Sequence, residues 1–210
     1  MKKNILSKNF HYNNLIIELH PEVYKPAEDT FLLLESIQIK TGDNVLEIGT
    51  GCGIIALECA SKEANVVCTD INPYAVALAK SNYKRNKSFI KGRFEVRKGD
   101  LFSTINDNEK FDVIIFNPPY LPTKKNDLVG GSGWFDIATN GGINGLRLTK
   151  RFIDGISKYL SNNGRAYFLF SSLSNKKDIN LYISKSSLKA KIVSRYSFND
   201  ETIYVYCIYF

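Results

Sequence analysis

Asn44-Val-Leu-Glu-Ile-Gly-Thr-Gly-Cys-Gly53, running straight into Ile54-Ile-Ala-Leu-Glu-Cys-Ala60, decides the fold. A short apolar strand ends in glycines, and a helix pattern begins at once. Glycines are needed at such a junction where the backbone must approach a ligand with no Cβ in the way. A dinucleotide site would carry a further glycine one place on, and that place holds Ile54. The spacing Gly49, Gly51, Gly53, with Glu47 two residues ahead of the first, suits an adenosyl ligand without a pyrophosphate. Taken alone, the same pattern also describes a tight strand-to-helix turn.

Outward from this junction the chain alternates strand and helix signals. Asn65-Val-Val-Cys-Thr-Asp70 is a second strand, and Asn72-Pro73 opens a helix to about Asn86, with proline suited to the first turn. Arg93 to Val96 and Phe111-Asp-Val-Ile-Ile-Phe116 are a third and a fourth strand. A polar, Gly-rich loop covers 121–142, a helix runs to about Leu160 and stops at Gly164, and Arg165 to Phe170 is a fifth strand. Apolar strands separated by helices indicate a parallel sheet covered on both faces. The last two apolar segments, Lys189 to Tyr196 and Thr202 to Phe210, are joined by a link too short for a helical crossover, so they pair antiparallel at one side of the sheet. The expected fold class is therefore α/β, a doubly wound, seven-stranded Rossmann-like sheet, mostly parallel with an antiparallel C-terminal hairpin. Upstream, Pro26 to Lys40 reads as an amphipathic helix carrying Phe31, Leu32, Leu34 and Ile37. Residues 1–25 read as a loose N-terminal extension with one strand at Leu15–Leu19, ahead of one domain over 26–210.

Two further acids fall at strand ends. Asp70 closes the second strand, where a carboxylate accepts hydrogen bonds from both hydroxyls of a ribose. Asp100, in Gly99-Asp100-Leu101, follows the third strand and is placed to meet an adenine amine. Either aspartate alone would more often be a helix cap or a turn residue. Glu47, Asp70 and Asp100 at three successive strand ends, all on the carboxyl edge of the sheet, point to a ligand site.

Asn117-Pro118-Pro119-Tyr120 follows the fourth strand. The prolines hold the backbone extended and remove two N–H donors, which leaves acceptors facing the pocket. A substrate –NH2 group needs two acceptors, and Asn117 Oδ1 with the Pro118 carbonyl supplies them, while Tyr120 offers a ring to stack on the planar group. No strong base is evident; transfer to such a nitrogen relies on positioning and charge complementarity.

Composition sets outer bounds. The 210 residues are 44% hydrophobic and 23% charged, enough for one domain with a sizeable core. No apolar run approaches the ~20 residues of a membrane span, and no signal-peptide core follows the basic N-terminus, so a cytoplasmic location is the default. Cys52, Cys59, Cys68 and Cys207 lack zinc-site spacing and read as reduced, buried small hydrophobes; no metal is expected. The net charge of +7 suits an acidic protein or RNA partner, and equally a solvated lysine surface. The cluster Lys84, Arg85, Lys87, Lys91, Arg93, Arg97 and Lys98 reads more readily as a solvated basic surface than as a single-strand binding platform.

With these residues in place the chain resembles the HemK-type glutamine methyltransferases, most closely their short archaeal and eukaryotic branch. The likeness covers roughly residues 20–210. It rests on Val23-Tyr-Lys-Pro-Ala-Glu-Asp-Thr-Phe-Leu-Leu-Leu34, Cys68-Thr-Asp-Ile-Asn-Pro73, Asn117-Pro-Pro-Tyr120 and Gly141-Gly-Ile-Asn-Gly-Leu146. Asn-Pro-Pro-Tyr alone also occurs in adenine methyltransferases, so the first stretch is the most specific. The resemblance implies S-adenosyl-L-methionine as cofactor, held by Thr30, Glu47, Gly49, Asp70, Asp100, Leu101 and Asn117, with Gly51 and Gly53 shaping the turn. It implies as substrate the glutamine of the Gly-Gly-Gln motif in a class I release factor, with Asn117, Pro118, Pro119 and Tyr120 at the reacting end. It also implies a small zinc-binding activator protein added at the sheet edge as a heterodimer partner. Behind this reading stand a nucleic-acid methyltransferase acting on an exocyclic base amine and, last, a non-enzymatic scaffold of the same fold.

Overall fold

The computed structural model describes residues 9–122 and 133–210. In chain order the elements are β1 (Asn9–Tyr12), β2 (Leu15–Glu18), α1 (Glu28–Ser36), β3 (Asn44–Ile48), α2 (Ile54–Ser61), β4 (Asn65–Asp70), α3 (Pro73–Arg85), β5 (Phe94–Lys98) and β6 (Phe111–Phe116). There follow α4 (Trp134–Thr139), α5 (Arg147–Tyr159), β7 (Leu160–Ser171), α6 (Lys176–Ser184), β8 (Lys189–Phe198) and β9 (Glu201–Tyr209).

Seven strands form one sheet in the order β5-β4-β3-β6-β7-β9-β8. β5, β4, β3, β6 and β7 are parallel, and β9 runs antiparallel to both β7 and β8. The expected doubly wound, mostly parallel sheet with an antiparallel C-terminal hairpin is what the chain adopts. Alternation along the strands sends side chains into two separate cores. Val113 and Ile115 of β6, with Tyr167 and Leu169 of β7, join the core shared with α2. Ile114, Phe116, Phe168 and Phe170 face the opposite way, into the core built on Phe152, Ile153 and Ile156 of α5. After β3 the chain steps outward to β4 and β5, then returns to β6 on the other side of β3. That reversal opens a crevice beyond the carboxyl ends of β3 and β6, the place where open α/β sheets bind ligands.

The N-terminal part differs from expectation. Residues 9–18 form a β1–β2 hairpin, with Leu15 and Ile17 fully buried, in place of a loose segment with one strand. The amides of Asn82 on α3 and of Asn86, which caps its C-terminus, hold it. Asn86 takes the N–H and the carbonyl of Ile16, and Asn82 does the same for Glu18. Two buried side chains thus replace a neighbouring strand, satisfying backbone groups that would otherwise be buried unpaired. Residues 1–8 lie outside the described residues.

Three helices also depart from the sequence reading. α1 spans Glu28–Ser36 rather than Pro26–Lys40, because Ala27 and Ile37 are both extended. α4 sits inside the stretch read as loop; of that stretch, 123–132 lies outside the described residues. α6, which the sequence reading passed over, buries Ile179 and Ile183, one turn apart, against the α5 core. The β8–β9 turn contains Asn199 at φ 50, a backbone shape that asparagine tolerates well.

Candidate functional site

The crevice between β3 and β6 is a cleft with about 1210 Å3 of empty space, its mouth to solvent included. Its floor is the turn after β3. Gly51 and Gly53 take φ values of 55 and 85, a region costly for residues with a Cβ. At Gly53 the limit is also steric, since an added Cβ would lie 3.1 Å from Cβ of Ala79, where α2 meets α3. Gly49, at φ 66, lies against the Phe116 ring.

Asp70 ties this turn to the next. One carboxylate oxygen accepts the Gly51 N–H at 2.9 Å, and the other accepts the Asn72 N–H at 2.9 Å. Each oxygen keeps acceptor capacity for a second donor. Burial pushes its pKa up, against the pull of those backbone N–H groups. Glu47 is more deeply placed, 2% exposed, and takes the Thr50 hydroxyl and the Ala56 N–H. Desolvation raises its pKa to about 8.

Asp100 lines the cleft from its outer side, where it pairs with Arg151 at 2.8 Å and stays 44% exposed. Leu101 beside it has φ 48, an unfavourable shape for leucine costing roughly 1–2 kcal/mol. The Thr69 hydroxyl donates to its carbonyl, and its side chain is turned into the cleft wall. Thr30, 4% exposed, reaches the same cleft from α1.

Asn117, Pro118, Pro119 and Tyr120 close the far wall. Their loop is clamped from beneath. Ser174 donates to the Tyr120 carbonyl at 2.8 Å, and Gly141 donates to the Leu121 carbonyl at 3.2 Å. A Cβ at Gly145 would fall 2.2 Å from the Tyr120 carbonyl oxygen and one at Gly141 2.5 Å from that of Leu121, so both positions need glycine for close approach. All residues singled out from the sequence as cofactor or substrate contacts therefore border one cleft, except Gly53, which shapes the turn from behind it.

Several cleft residues were not singled out. The foremost is Asp29, 4% exposed, which accepts hydrogen bonds from Asn117 Nδ2 at 3.3 Å, the Tyr120 hydroxyl at 3.0 Å and the Thr30 N–H at 2.6 Å. The Tyr24 hydroxyl lies 3.4 Å from both of its oxygens. Burial and the neighbouring Asp29 charge raise the Tyr24 and Tyr120 phenols well above their ordinary range, so both remain protonated donors. Trp134, Ile137 and Ala138 of α4 form an apolar side of the cleft. A second, smaller concavity lies behind Asp29 and Tyr120 and is bordered by Phe198 and Glu201 of the C-terminal hairpin. Among the described residues no cluster of His, Cys, Asp and Glu is arranged to hold a metal, and no helix is long and apolar enough to cross a membrane. All four cysteines are buried thiols.

Known proteins are similar to this chain in sequence and fold. Residues 20–132 match the family described as Methyltransferase small domain. A putative protein N5-glutamine methyltransferase of Methanocaldococcus jannaschii is 42% identical over 85% of this chain and 87% of its own length. Human methyltransferase HEMK2 is 31% identical, with 88% of each chain covered. Among solved structures, Mtq2 from the E. cuniculi Mtq2–Trm112 complex, described as methylating the eRF1 translation termination factor, superposes with a TM-score of 0.67. It is 25% identical, covering 90% of this chain and 98% of Mtq2. With this cleft at the β3–β6 crossover and relatives matched along nearly their whole length, the chain belongs to the methyltransferase small-domain family, and within it to the HemK-type glutamine methyltransferases of the short archaeal and eukaryotic branch.

Proposed function

We propose that this protein uses S-adenosyl-L-methionine to methylate the side-chain amide nitrogen of the glutamine in the Gly-Gly-Gln motif of a class I release factor. The observation that carries this reading is the placement of Asn117-Pro-Pro-Tyr120 in the same cleft as the Gly49–Gly53 turn and Asp70. The donor set fits the cofactor. Asp70 keeps a free lone pair on each oxygen for a pair of vicinal hydroxyls. Leu101 and Ile71 offer apolar surface for a base, and Asp100 stands at the rim to accept from an exocyclic amine. Thr30, Glu47, Gly49 and Asn117 line the remainder, with Gly51 and Gly53 setting the turn.

When bound, the cofactor supplies an electrophilic methyl group on a sulfonium. The chain's own part is to hold the acceptor nitrogen. Asn117 Oδ1 and the Pro118 carbonyl accept the two amide protons, which orients the nitrogen lone pair toward the methyl carbon. Tyr120 and the prolines confine the planar amide, and the apolar side of α4 limits water at the reacting end. No side chain is asked to remove the amide proton before transfer; the methylated product releases it to solvent.

The partner in this reading is a small zinc-binding activator protein seated on an edge of the sheet, and the setting is the cytoplasm, where release factors work. A base amine in nucleic acid is the second reading, and the +7 charge is what favours it. Within the basic cluster, however, Arg85 pairs with Glu18, Lys91 with Glu63, and Arg97 with Glu95 and Glu109, which lowers the charge offered to phosphates.

A transfer assay with labelled cofactor tests the reading. Release factor, its Gln→Ala variant in the Gly-Gly-Gln motif, and single-stranded RNA and DNA are offered with and without the activator. Label on the wild-type factor and not on the variant is the expected result. Asn117→Ala then lowers turnover about 10- to 100-fold, as one lost hydrogen bond plus misorientation would. Label on nucleic acid alone would move the protein to the base-amine class.

A further inference from the structure

We propose that Asp29 is a positioning residue for methyl transfer, setting which face of the Asn117 carboxamide meets the substrate. The inference rests on the amide-acceptor reading of the site and deepens it. An ionised carboxylate only accepts hydrogen bonds. The group of Asn117 turned toward Asp29 at 3.3 Å is therefore the –NH2, and the opposite flip would set the carbonyl oxygen against a carboxylate. With the –NH2 held, Oδ1 is left facing the cleft as an acceptor, which is what a substrate amide requires. The Tyr120 hydroxyl, 3.0 Å from the same Asp29 oxygen, is turned away from the substrate in the same manner.

Asp29 is itself rigidly placed. Its other oxygen takes the Thr30 N–H at 2.6 Å and the Thr30 hydroxyl at 3.1 Å, so the carboxylate plane is set by the first turn of α1. It stands at the second position of that helix, where the exposed N–H groups and the dipole favour a negative charge. It also lies where the main cleft meets the smaller concavity under Phe198, so it faces both the reacting end and a surface beside it. A carboxylate buried to 4% exposure, ringed by neutral donors from α1 and from the Asn117–Tyr120 loop, ties the two sides of the site together.

Asp29→Asn and Asp29→Ser are compared with the wild-type protein in the release-factor assay, with cofactor affinity measured by calorimetry. The side-chain –NH2 resonances of Asn117 are followed by NMR in the cofactor-bound proteins. Expected are a kcat lower by about 10- to 100-fold in both variants, with substrate KM and cofactor Kd within about threefold of wild type. The two Asn117 amide protons, distinct and slow to exchange in the wild type, converge toward solvent-averaged values in the variants. A kcat within about twofold of wild type overturns the proposal, as does a cofactor affinity that falls in step with kcat. Loss of the fold in both variants also overturns it, because Asp29 is then a structural residue. A wild-type enzyme that labels no glutamine defeats the amide reading instead, and the resonance comparison alone then decides whether Asp29 holds the carboxamide.

Discussion

Glu47 is the side chain on which pH acts most directly. Unfolded, its carboxyl has the ordinary value of 4.5; folded, desolvation carries it to about 8. Between these values the unfolded chain has released a proton that the folded chain keeps. Stability owed to this group therefore falls as pH rises from about 4.5 to about 8, and it stays low above that. Glu47→Gln removes the slope. At pH 8 the variant without cofactor is expected to be more stable than wild type, by something on the order of 2–4 kcal/mol, in urea unfolding. In the proposed binding mode a sulfonium near Glu47 would favour the ionised carboxyl and reverse the preference. At pH 7, calorimetry in buffers of different ionisation enthalpy should show a proton released on cofactor binding by wild type, and a smaller release by the variant. Equal release by both would remove Glu47 from the cofactor's surroundings. Residues with local signals, such as the glycines after β3 and Asp70 at the end of β4, were readable from spacing alone. Asp29 was not, because its partner Asn117 is 88 residues away and only the packing of α1 on the sheet brings them together.

Among the elements, α3 joins distant parts through one amide. Asn82, fully buried, serves Glu18 on β2 and also donates to the Cys52 carbonyl in the glycine turn at 2.9 Å. Replacing it with alanine strands three backbone groups away from water. Asn82→Ala should cost about 2–4 kcal/mol in denaturant unfolding and weaken cofactor binding as well. A loss of stability with unchanged affinity would show that the turn holds its shape without the amide. The strands and the helices at the sheet's centre could be read from periodicity. The hairpin of residues 9–18 was less legible, since its four-residue strands are too short to stand out and their backbone is satisfied by side chains of a helix. α4 was hidden by composition, because a six-residue helix preceded by glycines reads as loop. For α6 the signal was present in the spacing of Ile179 and Ile183, masked by the lysines and polar residues around them.

For the whole molecule, the sheet ends among the described residues in two open edges, β5 and β8. Nine of the ten residues of β8 are exposed, Ile192, Val193, Tyr196 and Phe198 among them, with Lys189, Lys191 and Arg195 interspersed. Charged side chains on an edge discourage unspecific pairing, and an open edge remains available for a chosen partner. Co-expression with a candidate for the proposed small zinc-binding activator should give a complex that co-elutes on gel filtration at 1:1 and methylates the release factor faster than the chain alone. Separate elution with an unchanged rate would dispose of the activator. The parallel run of the central strands was legible, and so was the pairing of the last two segments. That β9 rather than β8 joins the body of the sheet was not, because either strand of a hairpin can serve as its inner member.

That insertion of β9 has a consequence for synthesis. β7 emerges from the ribosome before the strand that covers its free edge, and β8 comes next but is not its neighbour. Until residues 201–209 have emerged, one long side of a buried strand stays uncovered, and β8 has nothing to pair with. At roughly 5–20 residues per second the gap from Ser171 to Tyr209 lasts a few seconds, an interval in which a nascent chain is open to chaperones or to its neighbours on the same message.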